Sequence, residues 1–432
     1  MNKKIYTVLL GSLISLATTA HETSNKHTHV EGGYKTDKGL FVSTADIESR
    51  LWDARGKSDE EITKRIKYLV KMADPYTAEE RAAFKKYIDK YSDTIVIDTI
   101  HIGTVGFAGL NEEAWIEMMG FQAQTSKGFT AISQTATNGD TGLIATDPLV
   151  NTGATDKEIE KSKGFVKVRS VKDIEQAKAD GKTGIFYNIQ GSDFINIDKI
   201  DQDVSKIKAA GILKANITYN VDNKYGTGGN QNNSPSAKTG LTDPGIELVK
   251  AFNKYGVVVD CSHSSDLVCV DIAKHSTKPV MASHSNAYGL QPITRNISDE
   301  AILAIAKTGG TISVVLLGGF LNPEGDASGE AVAKHVIYIS DLISKELGID
   351  GKRHVGFGAD TVHTYADALN PIIRNPERYS VENGYGSVTE QALPTDIWDT
   401  ARVLEDDYGW TKEEVQGFLG MNALRVYNAN WK

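Results

Sequence analysis

Two histidines stand at matching places in consecutive strand-like runs of this chain. His263 follows the apolar run Val257–Cys261, and His284 follows the run Val280–Ser283, with a helix-length segment between them. Short runs of small and β-branched residues are typical of strands buried on both faces. Because adjacent parallel strands bring their carboxyl ends to one surface, the two imidazoles are expected to form half of a metal site. The alternative is that both rings only satisfy hydrogen bonds at strand ends.

Apolar strand patterns alternate with helical patterns from Thr94 onward. Eight strands with intervening helices predict a (β/α)₈ TIM barrel. A doubly wound open sheet is the alternative, but no G-x-G-x-x-G sequence follows the first strand. The predicted strands are Ile95–Asp98, Phe129–Thr135, Gly184–Ile189, Leu213–Thr218, Val257–Cys261, Val280–Ser283, Thr311–Val315 and Val355–Ala359, and the predicted helices include Val171–Ala179, Asp243–Tyr255, Asp299–Lys307 and Glu330–Leu347.

The first 20 residues have the pattern of a secretory signal peptide. Lys3 and Lys4 precede the apolar core Ile5–Leu16, and small residues end the segment at Ala20. This core is too short to span a bilayer, and no later stretch reaches the ~20 apolar residues of a transmembrane helix. We therefore expect a secreted or periplasmic protein with no transmembrane anchor.

A polar leader and a helical extension, residues 21–93, are predicted to precede the barrel at residues 94–432. Ser58–Ala73 and Thr77–Tyr91 have amphipathic patterns, and each begins with a Ser or Thr followed three residues later by Glu. That spacing is the capping box of a helix start. We expect these two helices to be an addition to the main fold.

Net charge bears on the kind of partner, and the two cysteines raise the question of a disulfide. A net charge of −9 and a pI near 5.6 argue against nucleic acid or an anionic membrane as a partner. The two cysteines, Cys261 and Cys269, could pair in an oxidising compartment. Strand parity places Cys261 on the interior side with His263, whereas Cys269 lies on the following helix, so pairing is not expected.

Two connections are longer than a barrel requires. Asp222–Thr242, rich in Asn, Gly and Ser, follows the fourth strand, and Thr364–Pro394 follows the eighth. Long loops on the carboxyl side of a barrel commonly shape the substrate pocket. The alternative is that each loop only decorates the surface.

Four ordered stretches carry a resemblance to a known family. They are GLTDPGIELVKAFNKYGVVVDCSHSS, KPVMASHSNAYGLQPITRNISDE, HVGFGAD and GWTKEEVQGFLGMNALRVY. The chain from Ile95 to Trp431 resembles the membrane dipeptidase (renal dipeptidase) family, peptidase family M19. The resemblance implies an amidohydrolase-like, metal-dependent hydrolase barrel with a two-metal site that hydrolyses dipeptides.

The resemblance also implies roles for four residues. His263 and His284 match the histidines that hold the second metal. Arg295 matches the arginine that holds the substrate carboxylate, work that suits a guanidinium fork. Asp360 matches the aspartate near the first metal and the attacking water, so it is expected to be catalytic.

The first strand departs from the family pattern. Where the family has D-G-H-N-D, this chain has Asp98-Thr99-Ile100-His101-Ile102. In register, Ile100 and Ile102 occupy the two metal-ligand positions, and neither can bind a metal. His101 is one residue away, which turns its side chain to the opposite strand face unless a bulge intervenes.

Two further positions differ. Gln190 stands where a glutamate should bridge two metals, and an amide oxygen is a weaker, neutral ligand. The family's T-H-N after the fourth strand is Thr218-Tyr219-Asn220 here. Tyr219 and Asn220 are expected to face the substrate, with Tyr219 acting either as a catalytic acid or base or as a hydrogen-bonding wall.

Charge limits the number of metal ions. The aligned donors are two neutral histidines, a neutral glutamine and one aspartate, so two divalent cations would repel each other with little compensation. We predict at most one zinc or other divalent ion, held by His263 and His284 with Gln190, Asp360 or water completing its coordination. A site without metal is the alternative.

The favoured function is an exported hydrolase or peptide-tailoring enzyme of the dipeptidase family, acting on a small peptide or amino-acid derivative. The alternative is a non-hydrolytic peptide-binding or accessory protein, for example in maturation of a peptide natural product, that keeps the pocket without dipeptidase activity. A changed reaction such as elimination or isomerisation is a third reading. The resemblance to the family also implies a homodimer.

Overall fold

Parallel strands and helices alternate along the chain in this computed structural model. The structure describes residues 28–30, 33–35, 41–43, 52–102, 112–137, 147–232, 239–361 and 365–431. The strands are β1 (Thr28–Val30), β2 (Gly33–Lys35), β3 (Phe41–Ser43), β4 (Ile97–Ile102), β5 (Ala131–Thr137), β6 (Phe165–Lys167), β7 (Thr183–Ile189), β8 (Ile212–Asn216), β9 (Val258–Asp260), β10 (Met281–Ala282), β11 (Thr311–Val315) and β12 (Val355–Gly358).

Eight of these strands form a nearly closed parallel barrel in the order β4-β5-β7-β8-β9-β10-β11-β12. Two backbone hydrogen bonds join its ends: Asp360 N–H donates to Ile100 O at 2.7 Å, and Thr361 N–H donates to His101 O at 3.2 Å. The predicted (β/α)₈ barrel is therefore confirmed, with each predicted strand present. β6 was not predicted, and it pairs with the start of β7.

Helices surround the barrel, and several begin where the sequence predicts. Ser58 and Thr77 each form the expected capping box. The second of the two N-terminal helices is interrupted at Phe84. No helix among the described residues is both long and apolar enough to span a membrane. The helices are Asp59–Met72, Ala78–Ala83, Lys85–Lys90, Glu112–Thr125, Pro148–Lys161, Val171–Ala179, Ile200–Ala210, Asp243–Tyr255, Asp266–His275, Asp299–Lys307, Gly318–Leu321, Gly329–Leu347, Tyr365–Ile373, Ile397–Arg402, Lys412–Gln416 and Asn422–Asn430.

The chain divides into two units, Met1–Ala45 and Asp46–Lys432. Within the first unit, β1, β2 and β3 form a small antiparallel sheet. The sequence did not predict this sheet inside the polar leader. The predicted signal peptide, residues 1–20, lies outside the described residues, and export stays a prediction.

The barrel interior changes from apolar to polar towards the carboxyl ends of the strands. Its floor is a cluster that contains Tyr427 of the last helix, Trp431 just after that helix, and one residue from each of six adjacent strands: Ile97, Ala131, Phe186, Leu213, Val258 and Met281. Above this floor, the fully buried Lys214 and Asp260 form an ion pair, and Asn188 donates to Ser133 Oγ at 2.8 Å. Polar side chains therefore line the end of the barrel at which such folds bind ligands.

Cys261 and Cys269 form a disulfide, with their Cα atoms 5.2 Å apart. The expectation that they do not pair is wrong. Cys261 belongs to the same buried cluster as Val257, Val259 and Cys269, so it faces the helix layer rather than the barrel interior. Parity does not continue from Cys261 to His263, because the chain has left the strand and His263 has a positive φ of 67°.

Candidate metal and substrate site

His263, His284 and Asp360 converge at the mouth of the barrel. They follow β9, β10 and β12, and one possible ligand atom from each lies within 4.8 Å of the other two. Both histidines are almost completely buried, whereas Asp360 is partly exposed. Two imidazole nitrogens and one carboxylate oxygen suit a single divalent ion such as zinc.

Unusual backbone conformations place these side chains. Among the described residues, the non-glycine residues with positive φ are Asn220 (62°), His263 (67°) and Asp360 (50°). Such conformations cost about 1 to 3 kcal/mol each and persist only where the surrounding structure enforces them. Gly358 helps to place Asp360, because a Cβ at Gly358 would lie 2.1 Å from Ser283 O. The backbone strain in this barrel is concentrated at the candidate site.

Hydrogen bonding defines the state of the His263 ring. Its Nδ1 lies 2.6 Å from Asn220 Oδ1, which can only accept, so Nδ1 carries the proton. The lone pair of Nε2 therefore faces into the site, where it lies 2.8 Å from His284 Nε2 and 3.2 Å from Arg295 Nη2. The Asn220 amide is itself held, because its Nδ2 donates to Arg378 O at 3.2 Å.

The carboxylate of Asp260 connects the two histidine-bearing strands. Its Oδ1 accepts from Ser262 N–H and from Ser283 N–H, each at 3.0 Å. These two donors immediately precede His263 and His284. One buried carboxylate thus fixes the spacing of the two imidazoles.

Burial keeps both imidazoles neutral. Desolvation, followed by the positive charge of Arg295, lowers the pKa of His263 and of His284 well below the ordinary value. Lys214 acts in the same direction on both rings. A neutral imidazole has a free lone pair, which is the form that binds a metal ion.

The pKa of Asp360 is shifted in the opposite direction, upwards. Burial raises the pKa of this carboxyl to about 6, and the negative charges of Asp98 and Asp260 act in the same direction. Arg295 and Lys214 oppose the rise. A carboxylate with a pKa near the working pH can take up and release a proton during a reaction.

Arg295 points into the same site and retains an unused donor. Its Nη2 donates to His284 O at 3.0 Å, and its guanidinium lies over the Phe320 ring at 5.4 Å. Its buried Nε has no hydrogen-bond partner among the described residues. Asp299, a nearby acidic residue, accepts from Tyr338 instead of pairing with Arg295. The guanidinium can therefore serve an anionic ligand.

Tyrosines form a wall beside the histidines. Tyr219 stacks on the His263 ring, with centroids 4.1 Å apart and planes 23° from parallel. Tyr379 contacts Tyr219 edge-on at 6.3 Å and Tyr385 at 5.2 Å. Burial, with the neighbouring tyrosines, raises the pKa of Tyr219 well above its usual value, so its hydroxyl stays protonated and can donate. Apart from their place in a long loop, no sequence pattern points to Tyr379 or Tyr385.

The two long loops meet at the barrel mouth through asparagines. Asn230, from the loop after β8, donates to Arg378 O at 2.9 Å and accepts from Asn383 Nδ2 at 3.0 Å. Asn383 Oδ1 in turn accepts from Thr294 Oγ1 at 2.6 Å and from Arg295 N–H at 2.9 Å. Within the described residues, these loops support Arg295 and Asn220 as well as covering the surface.

His101 lies away from the cluster. The strand does contain the irregularity that could have redirected it, since the register of β4 against β5 shifts between Asp98 and Ile102. Nevertheless His101 Nδ1 lies 2.8 Å from Asp98 Oδ2, and Nε2 lies 3.0 Å from Thr125 Oγ1 on the helix Glu112–Thr125. Ile100 is fully buried. Among the described residues, the first strand brings no ligand to the cluster.

Gln190 follows β7 and is buried. Its Nε2 donates to Thr135 Oγ1 at 3.2 Å, and its Oε1 has no hydrogen-bond partner among the described residues. An unpartnered buried oxygen is costly and is commonly explained by a ligand, an ion or water. The donors present thus fit one metal ion, but the described residues offer no carboxylate to bridge two.

A parallel barrel with two imidazoles, a carboxylate and a guanidinium at the carboxyl ends of its strands has the make-up of a metal-dependent hydrolase. The chain belongs to the membrane dipeptidase family, peptidase family M19, whose sequence profile matches residues 144–374. The predicted family is therefore confirmed.

Curated relatives show the same kinship at moderate identity. An uncharacterized protein from the pqqA 5′ region of Klebsiella pneumoniae is 32% identical over 197 residues, which cover 44% of this chain and 69% of that protein. An uncharacterized dipeptidase of Schizosaccharomyces pombe is 24% identical over 259 residues, which cover 59% of this chain and 55% of the relative.

Solved structures share the fold over most of the chain. An amidohydrolase from Pseudomonas aeruginosa superposes with a TM-score of 0.65 at 25% identity, covering 80% of this chain and 99% of that one. A metallopeptidase from Rhodobacter sphaeroides, liganded with a phosphinate mimic of the dipeptide L-Ala-D-Ala, gives a TM-score of 0.59 at 18% identity, covering 78% and 100%.

Proposed function

We propose that this protein is an exported hydrolase or peptide-tailoring enzyme of the dipeptidase family, acting on a small peptide or amino-acid derivative with at most one metal ion. The observation that supports it most directly is the convergence of His263, His284 and Asp360 beside a guanidinium with an unused donor. The family assignment supplies the reaction class, and the donor set limits the metal.

His263, His284 and Asp360 would hold the ion, with the free Oε1 of Gln190 as a further oxygen donor. When bound there, a divalent ion supplies Lewis acidity that polarises a carbonyl and lowers the pKa of a water molecule. A second ion does not fit, because Ile100 and Gln190 replace charged or imidazole donors.

The protein's own residues perform the remaining work. Arg295 Nε binds the carboxylate of the substrate and fixes the reacting amide bond relative to Asp360. Asp360, ionised at neutral pH, takes a proton from the attacking water and passes it to the departing amine as the C–N bond breaks. Tyr219 covers His263 and donates a hydrogen bond to the reacting carbonyl or its neighbour.

A metal-free binding function is the second candidate, and one contact favours it. Arg295 Nη2 lies 3.2 Å from His263 Nε2, the nitrogen that would bind the ion. In this arrangement a guanidinium satisfies the imidazole lone pair without any metal. The pocket would then hold a peptide carboxylate without cleaving a bond, as an accessory or peptide-binding protein does.

Elemental analysis of purified protein, run beside a hydrolysis assay on LL- and LD-dipeptides, separates these functions. We expect close to one divalent ion per chain and weak turnover of plain dipeptides, lost with chelator and in Asp360→Asn. Two tightly bound ions with rapid turnover of several dipeptides would show that the replaced ligands matter little. No ion with tight binding of a dipeptide would establish the binding function.

A further inference from the structure

Lys214 places an ammonium group inside the barrel. It lies on β8 and is fully buried, and its ammonium makes one hydrogen bond among the described residues, to Asp260 Oδ2 at 2.9 Å. Removing a charge from water is costly, and an ammonium has three donors to satisfy. The apolar floor that contains Phe186 and Tyr427 closes the interior on the other side. A residue held at this cost is a candidate for a role in the site above it.

The Lys214 partner is the carboxylate that spaces the two histidines. Asp260 uses Oδ2 for the ammonium and Oδ1 for the N–H groups that precede His263 and His284. Lys214 is also near enough to influence the charge of His263, His284 and Asp360. The ammonium is therefore coupled to the site both through Asp260 and through space.

The fixed charges around the mouth suggest what the ammonium does. Three buried or partly buried carboxylates, Asp98, Asp260 and Asp360, act electrostatically on Lys214, and the cations Lys214 and Arg295 favour the ionised form of Asp360. The imidazoles of the cluster are neutral. One divalent cation brings this set close to balance, whereas two leave a clear excess of positive charge in a poorly solvated space.

We propose that the Lys214 ammonium is a built-in cation that occupies the electrostatic place of a second metal, positions the histidines through Asp260, and restricts this mouth to one divalent ion. The proposal rests on the proposed function in one respect, that the cluster binds a metal ion. It adds that the number and affinity of ions are set by a residue that contacts neither ion nor substrate.

A series of variants that change the charge at Lys214 and Asp260 tests the proposal. Zn²⁺ and Mn²⁺ affinity and stoichiometry are measured by calorimetric titration against a competing chelator, and thermal unfolding checks the fold. Lys214→Met leaves Asp260 uncompensated and should tighten ion binding roughly tenfold or more, while Asp260→Asn should weaken it by a similar factor. In the double variant, Lys214→Met with Asp260→Asn, the asparagine oxygen still accepts from the two N–H groups. Its ion affinity should be close to that of the native protein.

Lys208→Met is the matched control, because Lys208 is a half-buried lysine that donates to Gly256 O at 2.9 Å, just before β9 and at the opposite end of the barrel. It should leave ion binding unchanged. Equal affinities in all folded Lys214 and Asp260 variants would overturn the proposal. If Lys214→Met does not fold, the comparison of Asp260→Asn with the double variant decides, and equal affinities there would also overturn it.

Failure of the proposed function is distinguishable from failure of this inference. If the native protein binds no divalent ion, the metal-dependent function fails. The inference then fails with it, because a mouth that binds no ion cannot be restricted to one. If the native protein binds one ion and Lys214→Met binds it with the same affinity and stoichiometry, the inference alone fails.

Discussion

On two sides of the barrel mouth, an aspartate accepts hydrogen bonds from two backbone N–H groups, but the nearby histidine joins the cluster on one side only. On the β9–β10 side, Asp260 accepts from the N–H two residues ahead, on Ser262, and from Ser283 on the neighbouring strand. On the β4–β12 side, Asp98 accepts in the same way from Ile100 N–H at 3.2 Å and from Ala359 N–H at 3.0 Å. Each carboxylate ties two strand ends together next to a residue of the cluster.

The side chain that bonds to each carboxylate differs. Asp260 pairs with Lys214 in the interior, which leaves His263 free to face the site. Asp98 pairs with His101 from its own strand, which turns that imidazole towards Thr125 and away from the mouth. In this barrel, the histidine beside a carboxylate that bonds to another side chain joins the cluster, whereas the histidine that bonds to the carboxylate itself does not.

Removing one imidazole from each side is the strongest test of the comparison. His263→Ala should reduce divalent-ion affinity by more than the roughly 10- to 100-fold typical of outer-sphere changes, because it deletes a donor atom. His101→Ala should lower the unfolding temperature but leave ion affinity within a factor of about two. Equilibrium dialysis with Zn²⁺ measures both. A large loss of affinity in His101→Ala would end the distinction between the two sides.

Arg295 tests whether the β9–β10 side still serves a peptide-like ligand. Arg295→Ala should weaken binding of a phosphinate dipeptide mimic by about 2 to 5 kcal/mol, because charge-assisted hydrogen bonds are lost. Arg295→Lys should recover only part, since an ammonium lacks the forked geometry. Normal binding in the alanine variant, with unfolding several degrees lower, would assign Arg295 a structural role alone.

Replacing the residues that orient the two imidazoles should give a smaller difference in ion affinity between the two sides. Asn220→Ala frees His263 Nδ1 and should cost roughly 10- to 100-fold in ion affinity, the usual size for a group that fixes a ligand ring. Thr125→Val removes the partner of His101 Nε2 and should leave ion affinity unchanged. The same dialysis measurement checks both variants. Equal losses would mean that His101 contributes to the site.

A pH effect should arise from His335, which supports the segment after His284. Its Nδ1 accepts from Ala287 N–H at 3.0 Å and its Nε2 donates to Leu321 O at 2.7 Å, so the ring must be neutral. Burial lowers its pKa to about 4. Its stabilisation is therefore present above the unfolded pKa, and about 2 kcal/mol of it is lost by pH 5.

Unfolding temperatures at pH 7 and pH 5 measure this effect. The difference between the two temperatures should shrink in His335→Gln, which cannot take up a proton. An unchanged difference would show that other groups dominate the acid sensitivity.

Most of the fold could be predicted because its signals are local. The apolar runs predict all eight barrel strands, and the capping residues Ser58 and Thr77 predict two helix starts. β6 has only three residues and the helix Glu112–Thr125 is only weakly amphipathic, so neither has a strong local pattern. The positions of His263 and His284 follow from strand ends and that of Asp360 from the family resemblance, and the structure brings the three together.

What could not be predicted depends on backbone turns and on contacts across the barrel. Strand alternation does not predict the disulfide, because the strand ends at Asp260 and His263 has a positive φ, so Cys261 and His263 do not share a face. Nothing local shows that Lys214 points inward, since the register of β8 shifts against β7 at that point. The outward turn of His101 likewise depends on Asp98 and on a helix formed later in the chain.

Closure of the barrel has a consequence for how the protein folds. The hydrogen bond between Asp98 and Ala359 joins residues 261 positions apart. Asp360 reaches the two histidines only when this hydrogen bond and the neighbouring hydrogen bonds that close the barrel form. Contacts of such long range are slow to form, because a large loop must close before they stabilise anything. During refolding, ion binding should therefore develop after most helical signal has returned. Chains still in the act of folding would carry both imidazoles without the third ligand, and would be protected from capturing metal too early.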